Sequence, residues 1–232
     1  MPKSEEEKIW YLKIVFKVLF ALLFILASML VLAGRLDYWQ GWVFGGICVF
    51  LVLIQSVFFK DKTGLAKERL KPGPGTKWWD KILLTSFALL YLVIIVIAPL
   101  DAGRFEWSGQ LPLYVYIISY PAFFLSVSIF EWAILINRWF SSVVRIQKDR
   151  DQRVVQTGPY RIVRHPGYTG GILIGIFTSL ILGSLWALIP GGIAVILLIV
   201  RTYLEDITLQ KELSGYADYA RKVRYRLLPG IW

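Results

Sequence analysis

The chain has 232 residues, of which 56% are hydrophobic and 18% charged, and its formal net charge is +10. Soluble domains carry roughly 45–50% apolar and about 25% charged residues, so this composition excludes an ordinary soluble domain and indicates a polytopic membrane protein. The single cysteine, Cys48, lies in an apolar run, which excludes a disulfide framework and a thiolate metal site, and no metal is expected. The basic residues stand beside apolar runs, which argues against a nucleic-acid partner.

The first half of the chain predicts four membrane spans. Residues 1–13 are mixed in charge, lack the cleavage site of a signal peptide and predict a short interfacial helix. Apolar runs long enough to cross a bilayer follow at 14–33, 42–59, 82–100 and 113–136. The segment 60–81 is rich in lysine and interrupted by proline and glycine, which predicts a surface loop on the lipid headgroups.

One ionisable residue, Glu131, falls inside the fourth predicted span. A charge at that depth requires a cavity or a partner, and Arg138 and Arg145 are the candidate partners. A purely structural role is the alternative.

Residues 170–200 contain no charge. This run is too long for one perpendicular span of about 30 Å and short for two, so it predicts a tight helical hairpin that breaks near Gly183 and Ser184. A break at Pro190 and a single tilted helix are the alternatives. After the hairpin, the helix is predicted to reach Ser214, to turn at Gly215 and to restart through 226.

The distribution of basic residues favours the hairpin over a single span. With a hairpin, all but two of the 26 lysines and arginines lie on one face of the membrane, and only Arg35 and Arg104 lie on the other. By the positive-inside rule, both termini and the loop before the hairpin are then cytoplasmic.

The polar loop 152–170, QRVVQTGPYRIVRHPGYTG, contains the only histidine of the chain, His165. Its glycines allow the backbone to approach a ligand closely. Arg201 and Glu205 follow the hairpin, one helical turn apart on one helix face, so the hairpin brings them to the loop. An ion pair within the helix and a headgroup contact of His165 are the simpler interpretations.

Four motifs together resemble the isoprenylcysteine carboxyl methyltransferase family, whose members are membrane enzymes related to the phospholipid methyltransferases. They are GPY at 158–160, RHPGY at 164–168, RTYLED at 201–206 and the tail ELSGYADYARKVRYRLLPG at 212–230. A further segment, KPGPGTKWWDK at 71–81, looks like prokaryotic members. The resemblance covers 137–232, so we predict a methyltransferase region there, with a cofactor loop, a hairpin and C-terminal lid helices, and a region of spans at 1–136.

The resemblance implies S-adenosylmethionine as the cofactor and a prenylcysteine-like amphiphile, free or protein-bound, as the methyl acceptor. It assigns Arg201 to the acceptor carboxylate. The positions that it assigns to the cofactor are Gln147, Gln152, Arg153, Val154, Val155, Tyr160, His165, Pro166, Gly167, Tyr168 and Glu205.

Methylation of a carboxylate requires no general base because the nucleophile is already ionised, and the shortage of candidate bases favours such an acceptor. The alternatives are N-methylation of a phospholipid amine, a membrane reductase that binds NADPH through Arg145, Arg150 and Arg153, and a lipid-binding protein without enzymatic activity. In each case membrane lipids surround the protein.

Overall fold

The structure, a computed structural model, describes residues 5–59 and 73–232, and in these residues all regular secondary structure is helical. This confirms the prediction of an all-α polytopic membrane protein. The α-helices are α1 (Glu5–Ala33), α2 (Trp39–Phe59), α3 (Trp78–Pro99), α4 (Leu113–Ile136), α5 (Pro166–Ile181), α6 (Leu188–Glu212) and α7 (Tyr216–Lys222).

Five of these helices, α1 to α4 and α6, are long and apolar enough to cross a membrane. Helix α5 is apolar but has 16 residues, which correspond to about 24 Å and fall short of a full span. The six predicted segments are therefore five long helices and one short one. Large apolar side chains such as Phe16 and Phe24 are 71% and 68% exposed, as expected for helix faces that contact lipid.

The two polar segments of the first half differ in how far the structure describes them. Helix α1 begins at Glu5, so most of the predicted interfacial helix is continuous with the first span. Residues 1–4 of that segment, and residues 60–72 of the predicted headgroup loop, lie outside the described residues.

The last two membrane helices form the predicted hairpin. Helices α5 and α6 are joined at 182–187, where Gly183 adopts a φ of +81°, a conformation that residues with a side chain rarely adopt. Pro190 lies in the first turn of α6, where its missing N–H breaks no helical hydrogen bond. The break near Gly183 and Ser184 is thus confirmed, and the break at Pro190 and the single tilted helix are wrong.

A polar cluster and an apolar core fasten the tip of the hairpin to the other helices. The fully buried Asp101 accepts hydrogen bonds from Ser108 and Ser184, with both hydroxyls at 2.5 Å. Tyr38 donates to the carbonyl oxygen of Leu182 at 2.7 Å. Asp101 belongs to a π-helical turn, Leu100–Phe105, that continues α3.

At the opposite end of the bundle, the helix termini surround the loop between α4 and α5. Tyr11, near the start of α1, donates to the carbonyl oxygen of Ser56, near the end of α2. Lys77, just before α3, pairs with Glu212 at the end of α6 at 2.6 Å. The backbone N–H of Lys77 also donates to the carbonyl oxygen of Val144 at 3.1 Å, so the loop 137–165 lies at this end of the bundle, beside the start of α3 and the end of α6.

The C-terminal segment is shorter in helix than predicted. Helix α6 ends at Glu212, and Gly215 makes the turn with a φ of +79°. Helix α7 ends at Lys222, so the prediction of a helix through Arg226 is wrong. Beyond α7, the backbone N–H groups of Arg164 and His165 donate to the carbonyl oxygens of Tyr225 and Arg226. These bonds tie the tail to the histidine loop, which is the part of the loop 137–165 that contains His165.

Candidate functional site

A cavity of about 620 Å³ lies at this end of the bundle, between the loop 137–165 and the adjoining parts of α3, α4, α5 and α6. All the residues predicted for the site line it, with the exception of Pro166. Pro166 is buried as the first residue of α5, where a proline starts a helix well. The tertiary structure thus brings the predicted residues together around one cavity.

Hydrogen bonds of Gln147 shape the loop that forms one wall of the cavity. Gln147 is 2% exposed, and its side-chain amide donates to the carbonyl oxygen of Trp139 at 2.6 Å. Its side-chain oxygen accepts from Arg150 at 2.6 Å, and its backbone N–H donates to Gln152 Oε1 at 2.7 Å. Both glutamines therefore hold the loop in shape, in addition to lining the cavity.

The residues that follow in the loop line the cavity in different ways. Arg153 is exposed and pairs with Asp151 at 2.6 Å, so it lies at the rim. Val154 packs against the apolar cluster of α6 and α7, while Val155 is half-buried. Tyr160 is buried, and its hydroxyl accepts from Asn137 at 3.1 Å.

Arg145 contributes a buried positive charge to the same wall. Its Nη1 donates to Asp149 at 2.9 Å, and this hydrogen bond lowers the pKa of Asp149. Its Nε atom is buried, and no hydrogen-bond partner for it occurs among the described residues. A donor in this position suits a polar ligand, because a buried donor without a partner is costly.

His165 lines the cavity, and Asp206 and Tyr216 fix the orientation of its ring. Its Nε2 lies 3.2 Å from Asp206 Oδ1 and 3.3 Å from the hydroxyl of Tyr216. Since a carboxylate only accepts hydrogen bonds, the contact with Asp206 favours the tautomer that carries its proton on Nε2. The ring stacks on Tyr168, with centroids 5.7 Å apart and planes 5° apart.

Asp206 is the residue that the sequence analysis missed. It is fully buried and accepts both Nε and Nη2 of Arg164, at 2.8 and 2.9 Å, and Nε of Arg226 at 2.9 Å. Tyr216 donates to it at 3.0 Å, and burial together with this carboxylate raises the pKa of Tyr216, so the phenol remains a donor. The signal was present, because Asp206 and Arg164 both stand in the quoted motifs.

Two glycines near the start of α5 allow close packing of this helix on α4 and on the loop 137–165. A Cβ atom on Gly170 would lie 2.8 Å from the backbone of both Phe130 and Ser126. A Cβ atom on Gly167 would lie 2.8 Å from the ring of Phe140. These glycines are required for packing, and the ligand access that the sequence suggested stays a prediction.

Arg201 and Glu205 have different partners, so their interpretation as an ion pair within α6 is wrong. Arg201 donates through Nε to Asp80 at 2.7 Å and through Nη2 to the carbonyl oxygen of Ser142 at 2.8 Å. Glu205 accepts a hydrogen bond from the hydroxyl of Tyr168. The guanidinium of Arg201 lies 5.0 Å from the centre of the Tyr168 ring, so these residues form one connected group.

Glu131 lines the cavity, as its depth in the membrane suggested. Its carboxylate accepts a hydrogen bond from Gln55 of α2, a partner that the sequence did not indicate. Among the described residues, no group of three or more histidine, cysteine, aspartate or glutamate side chains could hold a metal ion.

Comparison with known proteins finds a family match over the segment that contains the residues predicted for the site. Residues 117–211 match the model of the isoprenylcysteine carboxyl methyltransferase (ICMT) family. The match begins inside α4 and ends before the C-terminal tail. No curated protein matches the chain. Residues 117–211, which include His165, the hairpin, Arg201 and Glu205, are therefore similar to the isoprenylcysteine carboxyl methyltransferase family.

Proposed function

We propose that the protein uses S-adenosylmethionine to methylate the carboxylate of a membrane-embedded amphiphile of the prenylcysteine type, on the cytoplasmic face. One observation carries this proposal. A single cavity is lined by polar residues of the loops outside the membrane and by apolar residues of the spans. The apolar lining includes Leu83, Leu84 and Phe87 of α3, Phe130 and Ile134 of α4, and Leu197 and Leu198 of α6.

The apolar and the polar lining of the cavity follow each other along α6, and therefore along the membrane normal. Leu198, Arg201, Glu205 and Leu209 all line the cavity, so one face of α6 runs past it. At 1.5 Å per residue, Arg201 lies about 6 Å deeper than Glu205, directly after the apolar lining. An amphiphile with its chain among the apolar residues would present its head group to Arg201, and a polar cofactor would lie nearer to Glu205.

The residues at the polar end suit the charges of S-adenosylmethionine. When bound, this cofactor supplies an electrophilic methyl group on a positively charged sulfur. Glu205 offers a negative charge for its cationic groups, and Arg145 offers a buried donor for its carboxylate. The backbone of residues 152–155 and the Tyr160 ring would hold the adenosine, with His165, Gly167 and Tyr168 around the amino acid end.

The chain has to orient its substrates and exclude water, because an ionised carboxylate requires no proton transfer. Arg201 would orient the acceptor through the edge of its guanidinium. The alternative of an NADPH-dependent reductase loses support, since Arg150 and Arg153 bond to side chains of the loop itself.

The experiment is a binding and transfer assay on the detergent-purified chain. Calorimetry should detect S-adenosylhomocysteine and show no binding of NADPH. With labelled S-adenosylmethionine and an S-prenylated N-acetylcysteine, alkali should release the transferred label as methanol, as it does for an ester. Alkali-stable label on a phospholipid amine would replace the proposal with N-methylation, and binding of NADPH alone would replace it with a reductase.

A further inference from the structure

Asp80 stands outside the segment that matches the family, yet it holds the residue proposed to orient the acceptor. It is the third residue of α3 and is fully buried. Its Oδ1 accepts Nε of Arg201 at 2.7 Å, and its Oδ2 accepts the backbone N–H of Val144 at 2.7 Å. Asp80 therefore joins α3 to α6 and to the loop that forms one wall of the cavity.

These bonds fix both the direction and the charge of Arg201. Asp80 accepts hydrogen bonds from Nε and Nη2 of Arg201, and the carbonyl oxygen of Ser142 accepts another from Nη2. Nη1 of Arg201 donates to neither group. Arg201 is 8% exposed, so its positive charge and the negative charge of Asp80 interact strongly in a medium that screens poorly, and they largely offset each other. An acceptor in the cavity would therefore meet an oriented N–H donor that belongs to an ion pair of little net charge.

Reduced charge at this point matters because methyl transfer to a carboxylate destroys charge. An acceptor oxygen gives an electron pair to the methyl carbon and becomes part of a neutral ester, while the pair of the breaking carbon–sulfur bond stays on sulfur. The negative charge of the acceptor is thus largest before the reaction and declines on the way to the transition state. An unpaired arginine would stabilise the bound acceptor more than the transition state and would slow the reaction.

We propose that Asp80 is a positioning residue that neutralises and aligns Arg201, so that Arg201 directs the acceptor carboxylate without trapping it. This inference rests on the proposed function and adds to it a residue from the N-terminal half of the chain. It predicts an unusual result for Asp80→Asn, in which the acceptor binds more tightly and reacts more slowly.

The test combines kinetics with binding of an S-prenylated N-acetylcysteine and of its methyl ester. In Asp80→Asn, we expect kcat to fall about tenfold or more and the acceptor KM to fall about threefold or more. The affinity for the acid relative to the ester should rise about threefold or more, like the fall in KM, because the ester carries no charge for the unpaired arginine to attract. An unchanged or reduced preference for the acid would overturn the proposal, as would an increase in KM.

Asp101→Asn is the matched control, since Asp101 is an equally buried carboxylate at the other end of the bundle. It should lower the melting temperature and leave the preference for the acid within about twofold of wild type, as expected for a change remote from the cavity. If both variants lower kcat alike without any change in the preference for the acid, Asp80 is merely structural and the proposal fails.

Asp80→Glu keeps the test decisive if Asp80→Asn does not fold, because it retains the charge and displaces the guanidinium. It should keep the acceptor KM within about twofold and lower kcat about fivefold, and an unchanged kcat would overturn the proposal. A wild-type protein that prefers the acid but transfers no methyl group would reject the proposed function, and the binding preference would still decide the role of Asp80. A wild-type protein that does not prefer the acid to the ester would overturn the inference itself.

Discussion

Arg164 donates two hydrogen bonds to Asp206, at 2.8 and 2.9 Å, although 42 residues separate them in the chain. Arg164 also donates to the carbonyl oxygens of Val223 and Arg224, at 2.8 and 2.9 Å. The side chain of Arg164 therefore connects the histidine loop to α6 and to the tail. The position of His165 at the cavity depends on this connection.

Replacing Asp206 by Asn should destabilise the protein strongly. The change leaves the buried Arg164 without its counterion, which costs about 3–5 kcal/mol in buried pairs. Thermal unfolding in detergent should show a clear decrease in melting temperature, together with weaker binding of S-adenosylhomocysteine. Asp151→Asn breaks the exposed pair with Arg153 and serves as the control, with an expected effect of about 0–1 kcal/mol. Equal melting temperatures for the two variants would contradict the central role of Asp206.

Glu205→Gln should weaken the binding of S-adenosylhomocysteine by about 1.5–3 kcal/mol, because a charged hydrogen-bond acceptor is lost while the shape of the side chain is kept. Isothermal calorimetry measures this change directly. Tyr168→Phe removes only the hydroxyl that donates to Glu205, and its effect should be smaller. Unchanged affinity in a folded Glu205→Gln variant would remove Glu205 from the cofactor site.

Arg201→Lys should lower the turnover of a prenylcysteine-type carboxylate about tenfold, or about 1.4 kcal/mol, with little change in cofactor affinity. A lysine cannot contact Asp80 and the Ser142 carbonyl oxygen through a planar group as the arginine does. Initial rates and calorimetry together separate these effects, with the exposed Arg221→Lys as the control. Joint loss of activity and cofactor affinity would instead make Arg201 a cofactor-binding or structural residue.

Gly170→Ala should destabilise the contact between α4 and α5 by about 1–3 kcal/mol, because the new methyl group would meet backbone atoms at 2.8 Å. The adjacent Gly171 provides a matched control, since its Cβ would lie 3.7 Å from the nearest atom, a side-chain carbon of Leu198. Gly171→Ala should therefore leave the melting temperature nearly unchanged. Similar melting temperatures for the two variants would show that the packing of α5 on α4 tolerates a larger residue.

The orientation in the membrane can be tested with reporter fusions. The placement of all basic residues but Arg35 and Arg104 on one face predicts that both termini are cytoplasmic. Reporters fused after Phe59, Ile136 and Trp232 should be active in the cytoplasm, and those after Ala33 and Leu100 on the other side. A C-terminal reporter exported across the membrane would contradict the proposed location of the site.

The sequence by itself determined the membrane helices and the residues that gather at the cavity. Lipid offers no hydrogen-bond partners to the backbone, so apolar runs of sufficient length must be helical. These runs can be located directly in the sequence. The loop 152–170 and the pair Arg201 and Glu205 were recognised by their motifs and by the hairpin between them. Length and charge predicted the hairpin, with a break near Gly183 favoured and Pro190 left as the alternative.

Only the tertiary structure decided which charges pair. Helical spacing placed Arg201 beside Glu205, but Arg201 turns to Asp80, which is 121 residues away in the chain. Asp206 and Arg164 stood in the recognised motifs, but their pairing required α6 to lie against the histidine loop. Periodicity reports which residues share a helix face. The partner of a buried charge depends on which other helices approach that face, because a buried charge is stable only where an opposite charge is brought within hydrogen-bond distance.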